Sequence, residues 1–173
     1  MFATLYLPNF ELQAALRHDR EVRGRPVALL DDIEAKATII QSNPLAEQMG
    51  VTCGMTASQG LARCPELKIK MRDRAQERLL ADLLLQLAFT LAPSVERTAT
   101  GICIVQFTDL RRLDEKVTRV VDQLGAMEID ARAGIAANAD TSLLAAFAAT
   151  PVLRVHDLRS FLDRLPVETL ALI

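Results

Sequence analysis

Oxygen-bearing side chains that could bind a divalent cation are scattered along this chain of 173 residues. Asn9 offers one neutral amide oxygen, Asp31 and Asp32 are adjacent carboxylates, and Asp109 is a single carboxylate. A cation such as Mg²⁺ prefers several anionic oxygens held together. Because an amide is a poor magnesium ligand and the acids come from separate segments, we interpret these residues as turn and solvent-facing side chains. The sequence therefore predicts neither a metal site nor a cofactor.

A run of cations is the second group that could do chemistry. Lys68, Lys70, Arg72 and Arg74 alternate along a predicted strand and its exit. Such a run could bind the phosphates of DNA, but a solvated strand face explains the same pattern and is the commoner case. The net charge of -2 gives the whole chain no attraction to nucleic acid, so any such contact must be local.

Nucleophilic side chains give little support to a hydrolase. His18 and His156 are far apart in the sequence, and no serine lies in a nucleophile-elbow pattern. The three cysteines, Cys53, Cys64 and Cys103, have no close metal-ligand spacing and are predicted to be reduced, mostly buried thiols of a cytoplasmic protein. The longest apolar stretch, 79–91, contains Asp82 and Gln86, so no membrane span or export is predicted.

The elements that position these residues follow from the apolar periodicity. In order, we predict a strand, an insertion rich in Pro and Gly, a helix, two strands joined at Gly101, a helix, a strand and a helix. The strands are predicted over 2–7, 26–30, 38–41, 94–99, 102–107 and 127–135, and the helices over 10–17, 45–49, 56–63, 79–91, 117–124 and onward from Asp140. This order predicts an α+β fold, in which a split βαβ (ferredoxin-like) unit with an antiparallel sheet carries a small α/β insertion.

Five short segments carry a family resemblance. They occur in the same order as in the N-terminal palm and fingers of Y-family DNA polymerases, the translesion type, and most resemble the inactive ImuB-like branch. The segments are LYLPNF at 5–10, GRPVA at 24–28, the pairs Gly50-Val51 and Gly54-Met55, ARCP at 62–65 and GIAAN at 134–138. The resemblance implies a palm over 1–9 and 74–165, fingers over 10–73, and the start of a thumb over 166–173, where LPVETL at 165–170 resembles the segment leading into the thumb.

The resemblance also implies where a metal site would lie. Active relatives carry an aspartate on the first strand and an Asp-Glu pair at the palm hairpin, and these hold two divalent cations. The matching residues here are Leu7, Gly101 and Ile102. We therefore expect these three positions to be vestigial, because none of their side chains can bind a metal ion.

The nucleotide-binding positions are altered in the same way. By the resemblance, the tyrosine and arginine that hold the triphosphate correspond to Pro44 and Glu47, the later lysine to Leu143, and the residue beneath the sugar to Leu12. These four positions are also expected to be vestigial, since a carboxylate repels a triphosphate. Candidate DNA contacts are Gly54, Met55, Lys70 and Arg72.

These substitutions lead to the expectation that the chain is not an enzyme. The resemblance implies an adaptor in damage-induced mutagenesis, which would link the sliding clamp to an error-prone replicative-type polymerase, while this chain alone binds DNA weakly. Two alternatives remain open. One is an active error-prone nucleotidyltransferase with unconventional metal ligands. The other is a split βαβ regulatory or ligand-binding domain unrelated to DNA, which a structure without the fingers insertion would favour.

Overall fold

The computed structural model describes residues 1–19, 22, 24–31, 37–166 and 169. The chain divides into two compact units, unit 1 with Met1–Pro8 and Ala81–Ile173, and unit 2 with Asn9–Leu80. The described strands are β1 (Phe2–Tyr6), β2 (Val27–Leu30), β3 (Ile39–Ser42), β4 (Lys68–Met71), β5 (Ser94–Ala99), β6 (Ile102–Gln106), β7 (Arg132–Ala136) and β8 (Val152–Arg154). The described helices are α1 (Phe10–Leu16), α2 (Pro44–Gln48), α3 (Ala57–Arg63), α4 (Arg74–Leu91), α5 (Leu113–Ala126), α6 (Ala139–Ala148) and α7 (Leu158–Leu162).

Unit 1 is built on a five-stranded sheet with the order β5-β6-β1-β7-β8. The central strand β1 is antiparallel to both β6 and β7, whereas β8 adds to β7 in parallel. Side chains that alternate along β1 lie on the same face of the sheet. On one face, the Thr4 hydroxyl is 2.7 Å from that of Ser142, and the rings of Tyr6 and Phe147 meet edge to face at 4.8 Å. Helix α6 therefore covers this face of β1.

The closest approach between α6 and the sheet is at Gly134 on β7. A Cβ atom at this position would lie 2.1 Å from the Ser142 carbonyl oxygen and 2.2 Å from the Ala146 nitrogen. Both are backbone atoms, which cannot turn away as a side chain can. Glycine is therefore required because the main chain of α6 lies directly against the strand.

Unit 2 contains a three-stranded sheet with the order β3-β2-β4, in which β2 is antiparallel to β3 and parallel to β4. All four residues of β2 are buried, as the continuous apolar sequence Val-Ala-Leu-Leu indicates. Ala28 and Leu30 belong to one apolar cluster, whereas Val27 and Leu29 belong to a second. The strand is thus covered on both faces.

The predicted α+β class is confirmed, and the insertion between β1 and α4 is present. A structure without this insertion would have favoured an unrelated βαβ domain, so that alternative is not supported. Two short elements, β8 and α7, were not predicted, and β7 begins at Arg132 instead of 127. The α5 end explains the later start, because the Ile129 N–H donates to the Leu124 carbonyl at 3.0 Å and Glu128 has a φ of 61°. Residues 127–131 thus form the C-terminal end of α5 and the connection to β7. Their alternation of apolar and polar residues does not reflect a strand.

The predicted thumb segment over 166–173 lies outside the described residues except for Pro166 and Thr169. Among the helices that the structure describes, none is long and apolar enough to cross a membrane.

Candidate active site and DNA-contact residues

The three residues that correspond to polymerase metal ligands are adjacent in unit 1. The Leu7 N–H donates to the Gly101 carbonyl at 2.9 Å, directly after the register pair Tyr6 and Ile102. Gly101 has a φ of 73°, which allows the tight turn between β5 and β6. The fold therefore brings together the two sequence segments that the resemblance paired.

The side chains at this place do not fit a pair of divalent cations. Leu7 is 1% exposed, Ile102 is half-buried, and Gly101 has no side chain. Divalent cations need anionic oxygen ligands, and these three residues supply none. The neighbouring Cys103 thiol is no substitute, because Mg²⁺ prefers oxygen to sulfur ligands. Burial raises the pKa of this thiol to about 11 against the opposing effect of the Arg97 charge, so at neutral pH it is protonated and is not an activated nucleophile.

Leu12, the position beneath the sugar in the resemblance, is buried on α1 in unit 2. Its N–H donates to Gln41 Oε1 at 2.9 Å, and the Gln41 amide nitrogen donates to the Glu11 carboxylate. The first turn of α1 is thus tied to β3 through one side chain. Sequence reasoning missed Gln41, because nothing in its local sequence indicates its partner on α1.

Pro44 and Glu47 lie in the first turn of α2, and both are exposed. The Glu47 carboxylate accepts a hydrogen bond from the Ser42 hydroxyl at 3.3 Å. Pro44 has no N–H to donate, and Glu47 adds negative charge, so neither side chain can hold a triphosphate by charge. Leu143, the fourth predicted position, is half-buried on α6 in unit 1 and also lacks a charge.

The cationic DNA-contact candidates, Lys70 and Arg72, are both engaged within unit 2. Lys70 forms an ion pair with Asp19. The Arg72 guanidinium binds the Glu77 carboxylate through two hydrogen bonds of 2.6 and 3.0 Å and also contacts Asp31 at 3.2 Å. Hydrogen bonding to Glu77 raises the Arg72 pKa further above its usual range. A phosphate at Arg72 would have to compete with carboxylates already in place.

Gly54 and Met55 form the turn before α3. Gly54 has a φ of 86° and donates its N–H to the Ile39 carbonyl at 2.8 Å, and the Ile39 N–H donates back to the Met55 carbonyl at 2.7 Å. Met55 packs against the apolar cluster of unit 2, whereas Gly54 is exposed. The exposed backbone at Gly54 remains available to a ligand, and the role of both residues as DNA contacts stays a prediction.

The alternative oxygen ligands are used in local structure. Asp31 binds Arg72 and Arg74, the Asp109 carboxylate accepts the Arg111 N–H at 3.0 Å, and the Asn9 amide donates to the Ser42 carbonyl at 3.4 Å. Asp32 lies outside the described residues. Within the described part of the chain, no group of three or more His, Cys, Asp or Glu side chains could hold a metal ion.

The fold is that of the palm and fingers of Y-family DNA polymerases. The chain matches a post-insertion binary complex of Dbh DNA polymerase with a TM-score of 0.84 at 15% identity, covering 97% of this chain and 52% of that chain. It matches DinB from Sulfolobus solfataricus with a TM-score of 0.83 at 16% identity, with coverages of 97% and 52%. At these identities the likeness shows the fold.

The family is shown by sequence. The model of the impB/mucB/samB family matches residues 5–147, and the chain belongs to this family. DNA polymerase IV of Ralstonia nicotianae is 26% identical over 164 residues, which are 90% of this chain and 46% of that protein. The chain thus spans about half the length of the relatives that it matches. The resemblance to Y-family polymerases is confirmed, whereas membership of the ImuB-like branch stays a prediction.

The expectation that the chain is not an enzyme is contradicted by these comparisons. The curated relative is a DNA polymerase IV, and the matching folds are those of DNA polymerases. The error came from extending a local result to the whole protein. Leu7, Gly101 and Ile102 cannot bind a metal ion, but this does not show that other residues of the protein supply no metal ligands.

Proposed function

We propose that the chain is the palm and fingers part of a protein that acts on primer–template DNA in translesion synthesis. The observation that carries this proposal is the agreement of two independent comparisons, a family match over residues 5–147 and a polymerase fold over 97% of the chain. In this proposal unit 1 is the palm and unit 2 is the fingers. The cytoplasm, where DNA is replicated in bacteria, is the proposed location.

The name of the curated relative points to nucleotidyl transfer as the activity of the whole protein. Because Leu7, Gly101 and Ile102 do not fit divalent cations, carboxylates from elsewhere in the protein would have to bind the metal ions. The sequence offers Asp31, Asp32 and Asp109 as candidates. Asp31 would have to leave Arg72 and Arg74 to do so.

Primer extension by the full-length protein with magnesium or manganese tests this activity. We expect incorporation of deoxynucleotides that falls at least tenfold in Asp109→Ala or Asp31→Ala, because loss of a metal carboxylate slows phosphoryl transfer by orders of magnitude. Asp122→Ala, an exposed residue of α5, is the matched control. A full-length protein that binds primer–template DNA but incorporates nothing with either metal would refute nucleotidyl transfer.

The apolar hairpin favours a second candidate function, an adaptor in damage-induced mutagenesis. Such a protein would hold the sliding clamp and a separate error-prone replicative-type polymerase at the lesion. Two observations support this candidate. Leu7, Gly101 and Ile102 supply no metal-binding side-chain oxygen, and Glu47 places a carboxylate where, by the resemblance, active relatives hold the triphosphate. Stimulation of a separate polymerase on primer–template DNA by the full-length protein, lost when the sliding clamp is omitted, would support this adaptor role.

A further inference from the structure

Three cavities of unit 2 adjoin one another, and together they form what we call the unit 2 groove. The first has a volume of about 400 Å³ and an apolar lining that includes Pro26, Leu45, Met49 and Pro65. It shares Glu66 with the second cavity, which has a volume of about 460 Å³. The groove thus begins with an apolar section.

The second and third cavities have a charged lining. Arg25 and Lys68 line both, and the third cavity, of about 370 Å³, also reaches Lys70 and Asp19. All these residues belong to unit 2, so the groove lies within one compact unit. An apolar section is therefore continuous with a basic one.

The apolar section has the properties of a docking surface. Leu45 is 40% exposed on α2, and Met49, which directly follows this helix four residues later, is 54% exposed. Single exposed apolar residues are normal, but a contiguous apolar patch in a cavity is typical of a binding site. Methionine adapts its shape to different apolar ligands, which suits a surface that binds a side chain of a partner.

One residue holds the walls of the groove in place. The Asn43 side-chain oxygen accepts the N–H groups of Ala46 and Val27, both at 3.0 Å, and its amide donates to the Arg25 carbonyl at 2.7 Å. Asn43 therefore fixes the start of α2, which carries Leu45, against the start of β2. A groove that is already shaped before binding loses less entropy when a ligand enters.

The charges of the groove favour an acidic ligand. Lys70 is paired with Asp19, but neither Arg25 nor Lys68 forms an ion pair with any residue that the structure describes. Glu66 is a second carboxylate in the lining. Among the described lining residues of the basic section, three cations (Arg25, Lys68 and Lys70) outnumber two carboxylates (Asp19 and Glu66), so a ligand with negative charge complements it.

The lining argues against single-stranded nucleic acid as this ligand. Proteins that bind single strands use aromatic side chains on which the bases stack. None of the described lining residues of the three cavities is aromatic. Leucine, methionine and proline instead suit the side chains of a peptide.

We propose that the unit 2 groove binds a peptide segment of a partner protein in which carboxylates flank apolar side chains. The apolar side chains enter the cavity lined by Leu45 and Met49, and the carboxylates meet Arg25 and Lys68. This role requires neither metal nor nucleotide and is independent of nucleotidyl transfer.

Selection from a phage-displayed library of random dodecapeptides on the purified chain tests this proposal. We expect the enriched peptides to combine apolar residues with a net negative charge. Fluorescence anisotropy of the most enriched labelled peptide should show binding that weakens about tenfold in Met49→Glu and in Lys68→Glu, and that also weakens as salt is raised. The two variants and the salt dependence separate the apolar part of the site from the charged part.

Matched variants and competing ligands decide the outcome. Leu61→Glu, on α3 and outside the three cavities, and Arg119→Glu, on α5, should bind the peptide as the unaltered chain does. Enrichment of neutral or basic peptides, or binding by both groove variants that is as tight as binding by the unaltered chain, would overturn the proposal. So would a thymidine dodecamer that displaces the peptide, or a dimer of this chain that dissociates in Met49→Glu.

Discussion

Single side chains determine what the hairpin at Gly101 can do. A backbone hydrogen bond joins Leu7 to Gly101, so the geometry that pairs the first strand with the hairpin is kept while its oxygen ligands are missing. The main-chain contacts of a strand do not depend on which side chain it carries. A metal-binding function and the fold that surrounds it can therefore change separately.

The close contact at Gly134 gives a stability prediction. Gly134→Ala should lower the free energy of unfolding by roughly 3 kcal/mol, because the new methyl group would overlap backbone atoms of α6. Urea unfolding measures the loss. Gly125→Ala is the matched control, since its Cβ meets no atom within 4 Å and alanine favours the helix α5 by up to about 1 kcal/mol. Equal stability of the two variants would show that α6 does not rest on β7 in this way.

The three thiols should differ in reactivity. Cys53 is exposed, whereas Cys64 and Cys103 are buried, and burial raises the pKa of Cys103 to about 11. Because the thiolate is the reactive form, iodoacetamide at pH near 8 should alkylate Cys53 and leave the other two intact until the chain unfolds. Mass spectrometry of peptides from the native and the urea-treated chain measures this order. Early modification of Cys103 would contradict its burial.

The same pKa shift makes stability depend on pH at high pH. The pKa of Cys103 is raised from 9.0 to about 11, so the folded chain holds this proton where the unfolded chain releases it. The stability from this group is complete below pH 9.0 and is lost as the pH rises through about 11. Cys103→Ala should show a smaller decrease in its unfolding midpoint over this window than the unaltered chain, as thermal unfolding at each pH would measure.

Elements are held by side chains that cap and connect them, and Asn43 is the strongest case in unit 2. Asn43→Ala removes the cap of α2 and two further hydrogen bonds to the Val27 N–H and the Arg25 carbonyl. We expect a loss of about 2 kcal/mol in the free energy of unfolding. Asn138→Ala removes only the cap of α6 through the Thr141 N–H and should cost about 1 kcal/mol. A reversed order, measured by urea unfolding, would contradict the connecting role of Asn43.

The sequence predicted the longer elements because their periodicity reports burial. Residues 79–91 fall within α4, and the strand–turn–strand pattern around Gly101 corresponds to β5 and β6. The three residues of β8 are too few to show alternation, and they are half-buried and pair in parallel with β7, which no local pattern indicates. Helix α7 did carry a local signal, since Asp157 caps it by accepting the Ser160 N–H at 3.0 Å.

The candidate site was predictable in position but not in its interactions. Family-like segments located Leu7 and Gly101, which the fold then joins by a hydrogen bond. The partners of Arg72 could not be predicted, because Asp31 and Glu11 are distant in sequence and approach only when unit 2 folds. A cation run alone cannot distinguish a free phosphate-binding surface from an internal ion-pair network.

At the scale of the whole molecule, charge limits what the chain does alone. The net charge is -2, and the cations predicted to contact DNA are engaged with carboxylates. We expect the chain to bind primer–template DNA no more tightly than about 1 μM at physiological salt, as in non-specific binding. A fluorescence titration over a range of salt concentrations measures this affinity. Salt-sensitive binding at nanomolar strength would contradict the prediction.

The main-chain contact at Gly134 has a consequence for engineering this chain. Because strand and helix backbones meet there without an intervening side chain, the close approach of α6 to β7 depends on that one small residue. A charged residue in place of the half-buried Leu143 would leave this backbone contact unchanged. A lysine at 143 can therefore be tested with this contact in place, provided that Gly134 is kept, whereas a carboxylate at the buried Leu7 or at Gly101, with its φ of 73°, would also cost stability.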